Sequence, residues 1–524
     1  MYIVALYQRR LKRGTPSQQL FNHERFLVLI CSACLVSLTG CMVGPDFVRP
    51  QIPGPDRYIS DTLPKATISA AGEAQNFDQA AAVAENWWRL FKSPKLDALV
   101  RDAIINNQDL QAAQAGLRQS QENLRAGYGI FYPQADLGGS AIRQRFSSAR
   151  FGGTTATIFN LFTLSTTISY TLDVFGGQRR AVESLGAQRD FQRYTVLATY
   201  LTVSGNIVNT VIARAAYKAQ IQATQELIGL LQEQIKLTHT QIQAGTVPYV
   251  SVVTLRTQLA ALQATLPPLE QKRSQAEHLL ATLAGHSPGE GMALQIDLND
   301  LSLPRDLPIT LPSQLARQRP DILSAEAQVH QFNANIGVAT ADMLPSFTLS
   351  GTYGQNNRNL VDVFMNTGNF WSVGAGFAAP LFRGGTLWWQ RKAAIDAYRQ
   401  SLANYRQTAL NALAQIADIL LALEHDAEAL QSQSQQLDFS RQALHLVQIN
   451  YQAGLVNYIQ VLIANSQYYQ ARISYLQAMA QRFQDTAALL VALGGGWWNA
   501  DGKINSSQNG EVVFHQTSSK EEDK

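Results

Sequence analysis

The sequence predicts a mainly α chain in which tandem-duplicated, very long coiled-coil helices are interrupted twice by pairs of membrane β-strands. Three observations point there: an internal repeat of about 210 residues, apolar side chains recurring every seven residues, and segments that alternate apolar with small polar side chains.

The repeat is carried by four matches in order. Asn107-Gln108-Asp109-Leu110 aligns with Arg319-Pro320-Asp321-Ile322, and Pro133-x3-Leu137-x-Gly139 with Pro345-x3-Leu349-x-Gly351, both at an offset of 212. Gln243-Ala244-Gly245 aligns with Gln452-Ala453-Gly454, and Leu283-Ala284-Gly285 with Ala492-Leu493-Gly494, both at an offset of 209. Each half reads as a helix, a strand pair, a very long helix, a Gln-Ala-Gly turn and a shorter helix.

Residues 1–40 form an export signal. Bases end at Arg25, and the uncharged run Phe26–Leu38 has signal-core length but is too short to span a bilayer. Leu38-Thr39-Gly40-Cys41 has the form of a lipobox, in which the Cys41 thiol and the new amino terminus become acylated; an ordinary signal peptide with a chance cysteine is the plain alternative. All three cysteines, Cys31, Cys34 and Cys41, lie in this stretch, which excludes a disulfide framework and a four-ligand zinc site. Of the net charge of +3, nothing survives removal of the signal: its five bases and one acid leave 37 bases against 38 acids, no footprint for nucleic acid.

After a lipidated N-terminal segment, 41–86, the first repeat comprises a helix, 87–131, a strand pair, 132–172, and a long helix, tip turn and return helix, 173–285. An equatorial linker, 286–313, leads to the second-repeat helix, 314–343, its strand pair, 344–383, its long helix, tip and return helix, 384–496, and a tail, 497–524. In the strands Phe162, Leu164, Ile168, Tyr170 and Leu172 alternate with Ser and Thr, as do Phe347, Leu349, Gly351 and Tyr353. Trp371, Val373, Ala375 and Phe377 alternate with Ser372, Gly374 and Gly376. A soluble sandwich strand fits each locally. Strand length and the polar flanking stretches Arg143–Asn160 and Gln355–Asn369, read as cell-exterior loops, favour a membrane barrel. Four strands are too few to close one, and open edges are not tolerated in lipid, so several chains must share it.

Ile221, Ile228, Ile235 and Ile242 recur every seven residues with Leu231 as partner, and Leu423, Leu430, Leu437, Leu444 and Tyr451 do so in the second half. That is a left-handed coiled-coil seam. From Ala181 to Gln243 the helix runs roughly 60 residues, about 95 Å at 1.5 Å per residue. Gly245 and Gly454 cap these helices. Val247, Pro248, Leu455 and Val456 are apolar where a solvated turn favours polar residues, which points to docking, although an unpartnered hairpin has the same spacing. The 15% charged composition then reflects an Ala/Gln-rich coiled coil and polar strand faces, with no large conventional core.

The motifs Cys41-Met42-Val43-Gly44-Pro45-Asp46-Phe47 with Pro50, Trp87-Trp88 with Phe91, Pro94 and Leu96, and Leu172-Asp173-Val174-Phe175-Gly176-Gly177 occur in order. They are followed by Arg319-Pro320-Asp321-Ile322 with Ala325-Glu326, Pro380-Leu381-Phe382-Arg383-Gly384-Gly385 and Leu493-Gly494-Gly495-Gly496-Trp497. In this order the chain resembles the TolC-like outer-membrane factor family, in its lipoprotein, OprM-like and NodT-like branch that serves RND-type pumps. The resemblance implies a homotrimer with a twelve-stranded barrel and a helical periplasmic tunnel. It implies a passive efflux duct and no enzyme, with an acyl (palmitate) and diacylglycerol anchor on Cys41 and no other cofactor. It places the chain in the outer membrane of a Gram-negative bacterium, with a periplasmic adaptor docked at Gly245, Val247, Gly454 and Leu455 and an inner-membrane proton-driven transporter as partners, in antibiotic-resistance-type efflux. At the gate, Tyr451 matches a family tyrosine, its acidic partner falls at Ser251, and a Leu and Asp of the family fall at Ile459 and Ile463. The resemblance thus implies a hydrophobic gate without a carboxylate ring; ordinary coiled-coil core is the other reading of Ile459 and Ile463.

No HExxH, GxSxG or P-loop pattern occurs, and the histidines lack ligand spacing. Glu424-His425-Asp426 reads as a solvated helix face. The alternatives are an exit duct for one-step protein secretion or metal-ion efflux, and more remotely a trimeric adhesin. The six methionines are too scattered for a thioether metal relay, which favours organic cargo.

Overall fold

The computed structural model describes residues 42–51, 58, 64–70, 74–78, 83–147, 156–290, 295–309, 312–315, 317–365 and 368–499. The expected export signal, Cys41 and all but the start of the tail lie outside the described residues.

In chain order the elements are β1 (Asn76–Asp78), α1 (Pro94–Asn106), α2 (Gln108–Gly127), β2 (Gln134–Ser147), β3 (Ala156–Leu172), α3 (Gly177–Gln243), α4 (Val250–Gln263) and α5 (Leu266–Leu283). Then come β4 (Asp306–Pro308), α6 (Pro312–Leu315), α7 (Pro320–Ala341), β5 (Ser346–Asn357), β6 (Asn369–Ala378), α8 (Thr386–Gln452) and α9 (Tyr458–Ala492). Helices α3 and α8 each have 67 residues, about 100 Å of helix.

Local chemistry sets the boundaries. Ser93 accepts from the Leu96 amide and Pro94 opens α1, where its missing N–H costs nothing. The helix expected over 87–131 divides at Asn107, whose Oδ1 caps α2 at the Leu110 amide (2.9 Å) while its Nδ2 donates to the Leu283 carbonyl (2.8 Å). Its repeat counterpart Arg319 does the equivalent work with a different side chain, donating to the Ala492 carbonyl (2.9 Å) while Asp321 holds its guanidinium from both oxygens (3.0 and 2.6 Å). The motif shared by the two halves therefore ties each entry helix to the end of its return helix. The first return helix is divided at Ala264–Thr265, ahead of Pro267 and Pro268 in the first turn of α5, whereas α9 runs unbroken for 35 residues.

The chain forms two compact units. One comprises the residues up to Val48, Asn123–Gly186 and His330–Arg399. Its four strands form one antiparallel sheet in the order β2-β3-β5-β6, with β2 and β6 as edges. The register puts Leu137 opposite Thr166, Thr166 opposite Tyr353 and Tyr353 opposite Trp371, so the apolar parities of all four strands share one face. That face carries Leu137, Ile168, Leu349, Tyr353, Trp371, Val373 and Phe377, all exposed. The opposite face is mainly Ser, Thr and Gly over the half nearer the helices, with Thr167 and Thr352 hydroxyls 3.4 Å apart across strands, and carries Ile142, Phe146, Phe159, Leu161 and Phe370 toward the other end. A water-exposed apolar sheet face of this extent is destabilising unless something apolar covers it. The strands also reach further than the loop expected over Arg143–Asn160 allows: Arg143–Ser147 and Ala156–Asn160 are paired strand residues, because the antiparallel ladder continues past the apolar band.

The other unit comprises Arg49–Glu122, Ala187–Val329 and the chain from Gln400 onward. Contrary to the expectation from low charge, it holds a large conventional core: Trp87, Trp88, Phe91 and Leu96 pack with Ile207, Ile212, Ile416, Leu423, Phe483 and Leu490. The aromatic Trp-Trp motif thus anchors the helices by burial. Strands β1 and β4 pair in parallel beside it. Along the seam Ile221, Ile228, Leu231, Leu423 and Leu430 are buried, while Ile235, Ile242, Leu437, Leu444 and Tyr451 are only half-buried. Apolar packing within one chain therefore thins toward the Gln-Ala-Gly turns.

Candidate functional site: the helix tips, the gate residues and the N-terminal seat

Both tip turns are Schellman caps. At the first, the Gly245 amide donates to the Ile242 carbonyl and the Thr246 amide to Gln241; at the second, Gly454 donates to Tyr451 and Leu455 to Asn450, all within 2.9–3.0 Å. Gly245 and Gly454 take φ of +73° and +72°, the left-handed region that glycine occupies without a Cβ penalty. Neither has any atom near where a Cβ would sit, so these glycines serve backbone conformation, not close approach. Leu455 is 75% exposed, and Tyr249 and Val250 beside the first tip are exposed as well, while Val247 is half-buried.

The residues expected at the gate separate into two groups. Tyr451 accepts a hydrogen bond from Gln241 Nε2 (3.3 Å) and meets Tyr458 edge-on at 5.3 Å, linking the end of α3 to the α8–α9 turn. Burial, and then Tyr451, push the Tyr458 hydroxyl well above its ordinary range, so it stays neutral. Ser251 makes no side-chain hydrogen bond with Tyr451; its amide donates to the Pro248 carbonyl (3.1 Å) in the first turn of the hairpin. Ile459 and Ile463 are 56% and 51% exposed, whereas Val461 and Leu462 next to them are buried, Leu462 in a cluster with Leu227, Leu231, Leu255 and Tyr469. Within one chain, then, the two isoleucines stand outside the hairpin core.

Cys41 itself lies outside the described residues, but the segment after it is firmly seated. The Val43 amide donates to the Phe175 carbonyl (3.0 Å). Met42 lies where a side chain on Gly176 would collide with it, and Gly44, at φ +90°, backs onto Gly337. Arg180, 1% exposed, donates to the Val43 carbonyl (3.2 Å), Asp46 (2.7 Å) and Glu183 (2.8 Å). Glu183 also meets His330 Nε2 (2.9 Å), on whose ring Phe47 stacks at 4.3 Å. Asp173 caps α3 by accepting from the Gln178 and Arg179 amides. The Asp-Val-Phe-Gly-Gly motif was recognisable in the sequence, but Arg180's part was not, because its partners near the N-terminus are over 130 residues away.

A second group escaped sequence reading. Glu424-His425-Asp426 is not a uniformly solvated face: His425 is exposed, but Asp426 is half-buried against Asp485 of α9. Burial, then the hydrogen bond and charge of Asp485, push the Asp426 carboxyl up to about 7, against the pull of Arg482. Arg482 is itself buried and donates to Gln75 and Thr67. Among the described residues no group of three His, Cys, Asp or Glu side chains could hold a metal ion.

An exposed apolar sheet face joined to paired long-helix hairpins defines a class of protein: a subunit of a channel that crosses the outer membrane on strands and extends into the periplasm on helices. The family model described as "Outer membrane efflux protein" matches residues 99–286 and again 311–495, and the chain belongs to that family. The two matched segments begin 212 residues apart and end 209 apart, the offsets of the internal repeat. The chain is 30% identical over 421 residues to the pyoverdine export outer membrane protein OpmQ of Pseudomonas putida, covering 79% of this chain and 88% of that one. It is 25% identical over 461 residues to the cation efflux system protein CusC of Escherichia coli, covering 88% and 97%. Among solved structures it is similar to the outer-membrane channel OprN, with a TM-score of 0.78 and 27% identity over 87% of this chain and all of that one. It is an efflux channel of the outer membrane and not an enzyme.

Proposed function

We propose that this chain is the passive exit duct of a tripartite pump: a homotrimer whose tips receive a periplasmic adaptor and whose cargo, toxic small organic molecules, is driven by an inner-membrane RND-type transporter. The observation that carries the reading is the four-stranded sheet, apolar on one exposed face, polar on the other and open at both edges. The smallest membrane barrels need about eight strands, and three copies joined β6 to β2 supply twelve with no edge left in lipid. Exposed apolar side chains around Gly245 and Gly454 support docking there, through Val247 and Leu455.

Cys41 carries the acyl and diacylglycerol anchor in this reading. The seat formed by Phe175, Gly176 and Arg180 supports it, since it fixes the chain one residue after the cysteine beside the strand-to-helix junction. Tyr451, Ile459 and Ile463 form the gate, with Ser251 in the uncharged position. One relative is named for pyoverdine export and another for cation efflux; among the described strand residues the lumen face has no Cys, His or Met, which supports organic cargo over soft metal ions.

The test is photo-crosslinking in cells from probes at Val247 and Leu455, with drug susceptibility of a channel-deleted strain. Adducts with a periplasmic adaptor, together with restored resistance to organic toxicants, are expected. Adducts with an ATP-driven exporter's adaptor and restored protein secretion would instead support the secretion reading.

A further inference from the structure

Strand β2 runs on beyond the apolar band of the sheet, and its outward positions there are Arg143, Arg145 and the terminal Ser147, paired with Asn160, Ile158 and Ala156 of β3. The outward face is fixed by parity: odd residues of β2 align with Leu164, Thr166 and Ile168, and through them with Tyr353, Trp371 and Val373. From Leu172 to Phe162 that face is apolar over about 33 Å of strand, close to the 25 Å hydrocarbon band once strands tilt by about 40°. The helices attach at the Leu172 end, so the opposite end lies at the cell exterior. Gln355, Asn357, Asn369 and Asn160 form a polar border at that end, and Arg143 and Arg145 stand at and beyond it.

Among the described strand residues these two arginines are the sole charges on the outward face; the sole charge on the lumen face is Asp136. Both are exposed, and neither side chain makes a hydrogen bond or ion pair among the described residues. Residues i and i+2 of a strand share a face about 7 Å apart, so the two guanidinium groups can grip one phosphate or neighbouring ones. Lumen-directed steering of cargo is a poor explanation, because the side chains project away from the channel.

We propose that Arg143 and Arg145 bind the phosphates of the outer-leaflet glycolipid, lipid A, and tie the rim of each protomer to the outer leaflet. A guanidinium pair just above the hydrocarbon edge meets phosphates where charge is least costly to place and bidentate contacts are available. Together with a lipid anchor at the periplasmic side, this holds the barrel from both leaflets. The inference rests on the barrel reading of the sheet, which conductance in bilayers free of lipid A tests separately, since the arginines lie off the lumen.

The experiment is native mass spectrometry of the detergent-solubilised full-length protein titrated with bisphosphorylated lipid A, dephosphorylated lipid A or phosphatidylglycerol. Wild-type protein is expected to prefer bisphosphorylated lipid A over both comparators. The Arg143→Gln/Arg145→Gln variant should bind it about tenfold more weakly, and Arg143→Lys/Arg145→Lys, which keeps the charge but loses the bidentate contacts, should fall between the two. Equal binding of lipid A with and without phosphates, or undiminished binding by the glutamine variant, overturns the proposal. So does phosphatidylglycerol binding as tightly as lipid A, because the site is then a general anionic-lipid contact. If the glutamine variant yields no folded protein, competition between the two lipid A forms on wild-type protein still decides.

Discussion

Arg180 is removed from water by the segment it holds, and most of its contacts are to backbone carbonyls and Glu183, since Asp46 is 84% exposed and adds little. Arg180→Ala would leave Glu183 half-buried and the Val43 and Gly44 carbonyls short of a donor, at about 3 kcal/mol. Hydrogen exchange at the Val43 amide reads the seat itself: exchange should accelerate in Arg180→Ala and recover partly in Arg180→Lys, with β3 protection unchanged. Loss of protection across β3 as well would show a general folding defect. Asp426 gives a pH dependence with a definite sign. Its carboxyl titrates near 7 in the folded chain against an ordinary 3.8, so folding favours the protonated form. The stabilisation is complete below the ordinary value and disappears as pH rises through about 7. Because the group is half exposed, the effect is on the order of 1 kcal/mol. Thermal midpoints between about pH 5 and pH 8 should fall for wild-type protein beyond its global trend, and Asp426→Asn should remove that extra slope.

At the scale of elements, period and punctuation made the strands and long helices legible. Alternation over Phe162–Leu172 identifies both strand and lipid face, and Gly245 and Gly454 announce helix ends because a left-handed residue is needed there. The division of α4 from α5 was also available in Pro267 and Pro268, which favour the first turn of a new helix. What stayed hidden depends on partners distant in sequence. The β1–β4 pair has only three residues per strand, too few for a periodic signal. Arg482 is buried because Thr67 and Gln75 cover it, some 400 residues away. Likewise the large core follows from packing Trp87 and Trp88 against residues of α3, α8 and α9, and no composition figure reports that. The exposed site residues followed the same rule: their chemical type was readable, but which of them touch was not, as Tyr451 shows in pairing with Gln241 and not Ser251.

At the scale of the assembled channel, Ile459 and Ile463 acquire a meaning that one chain does not give them. Two half-exposed isoleucines on one helix face, one turn apart, are unfavourable in water unless they meet their own copies. In a threefold ring they would form two stacked apolar constrictions that close by excluding water, with no fixed charge to hold a cation. The neighbouring ties point the same way. Gln241 to Tyr451 and Arg472 to Glu226 join the first hairpin to the second within a protomer, so in the proposed gate opening would require these ties to loosen and not a metal ion to leave. Single-channel conductance tests this directly. Wild-type channels should be little affected by millimolar Mg2+ added on the periplasmic side, and Ile463→Asp should become sensitive, because three copies would create a carboxylate ring. Ile459→Ser should raise the resting conductance by rewetting one constriction. Strong Mg2+ block of the wild-type channel would sink the uncharged-gate account. An Ile463→Asp channel that stays insensitive would place that residue on the outer surface of the tunnel instead of at its lumen.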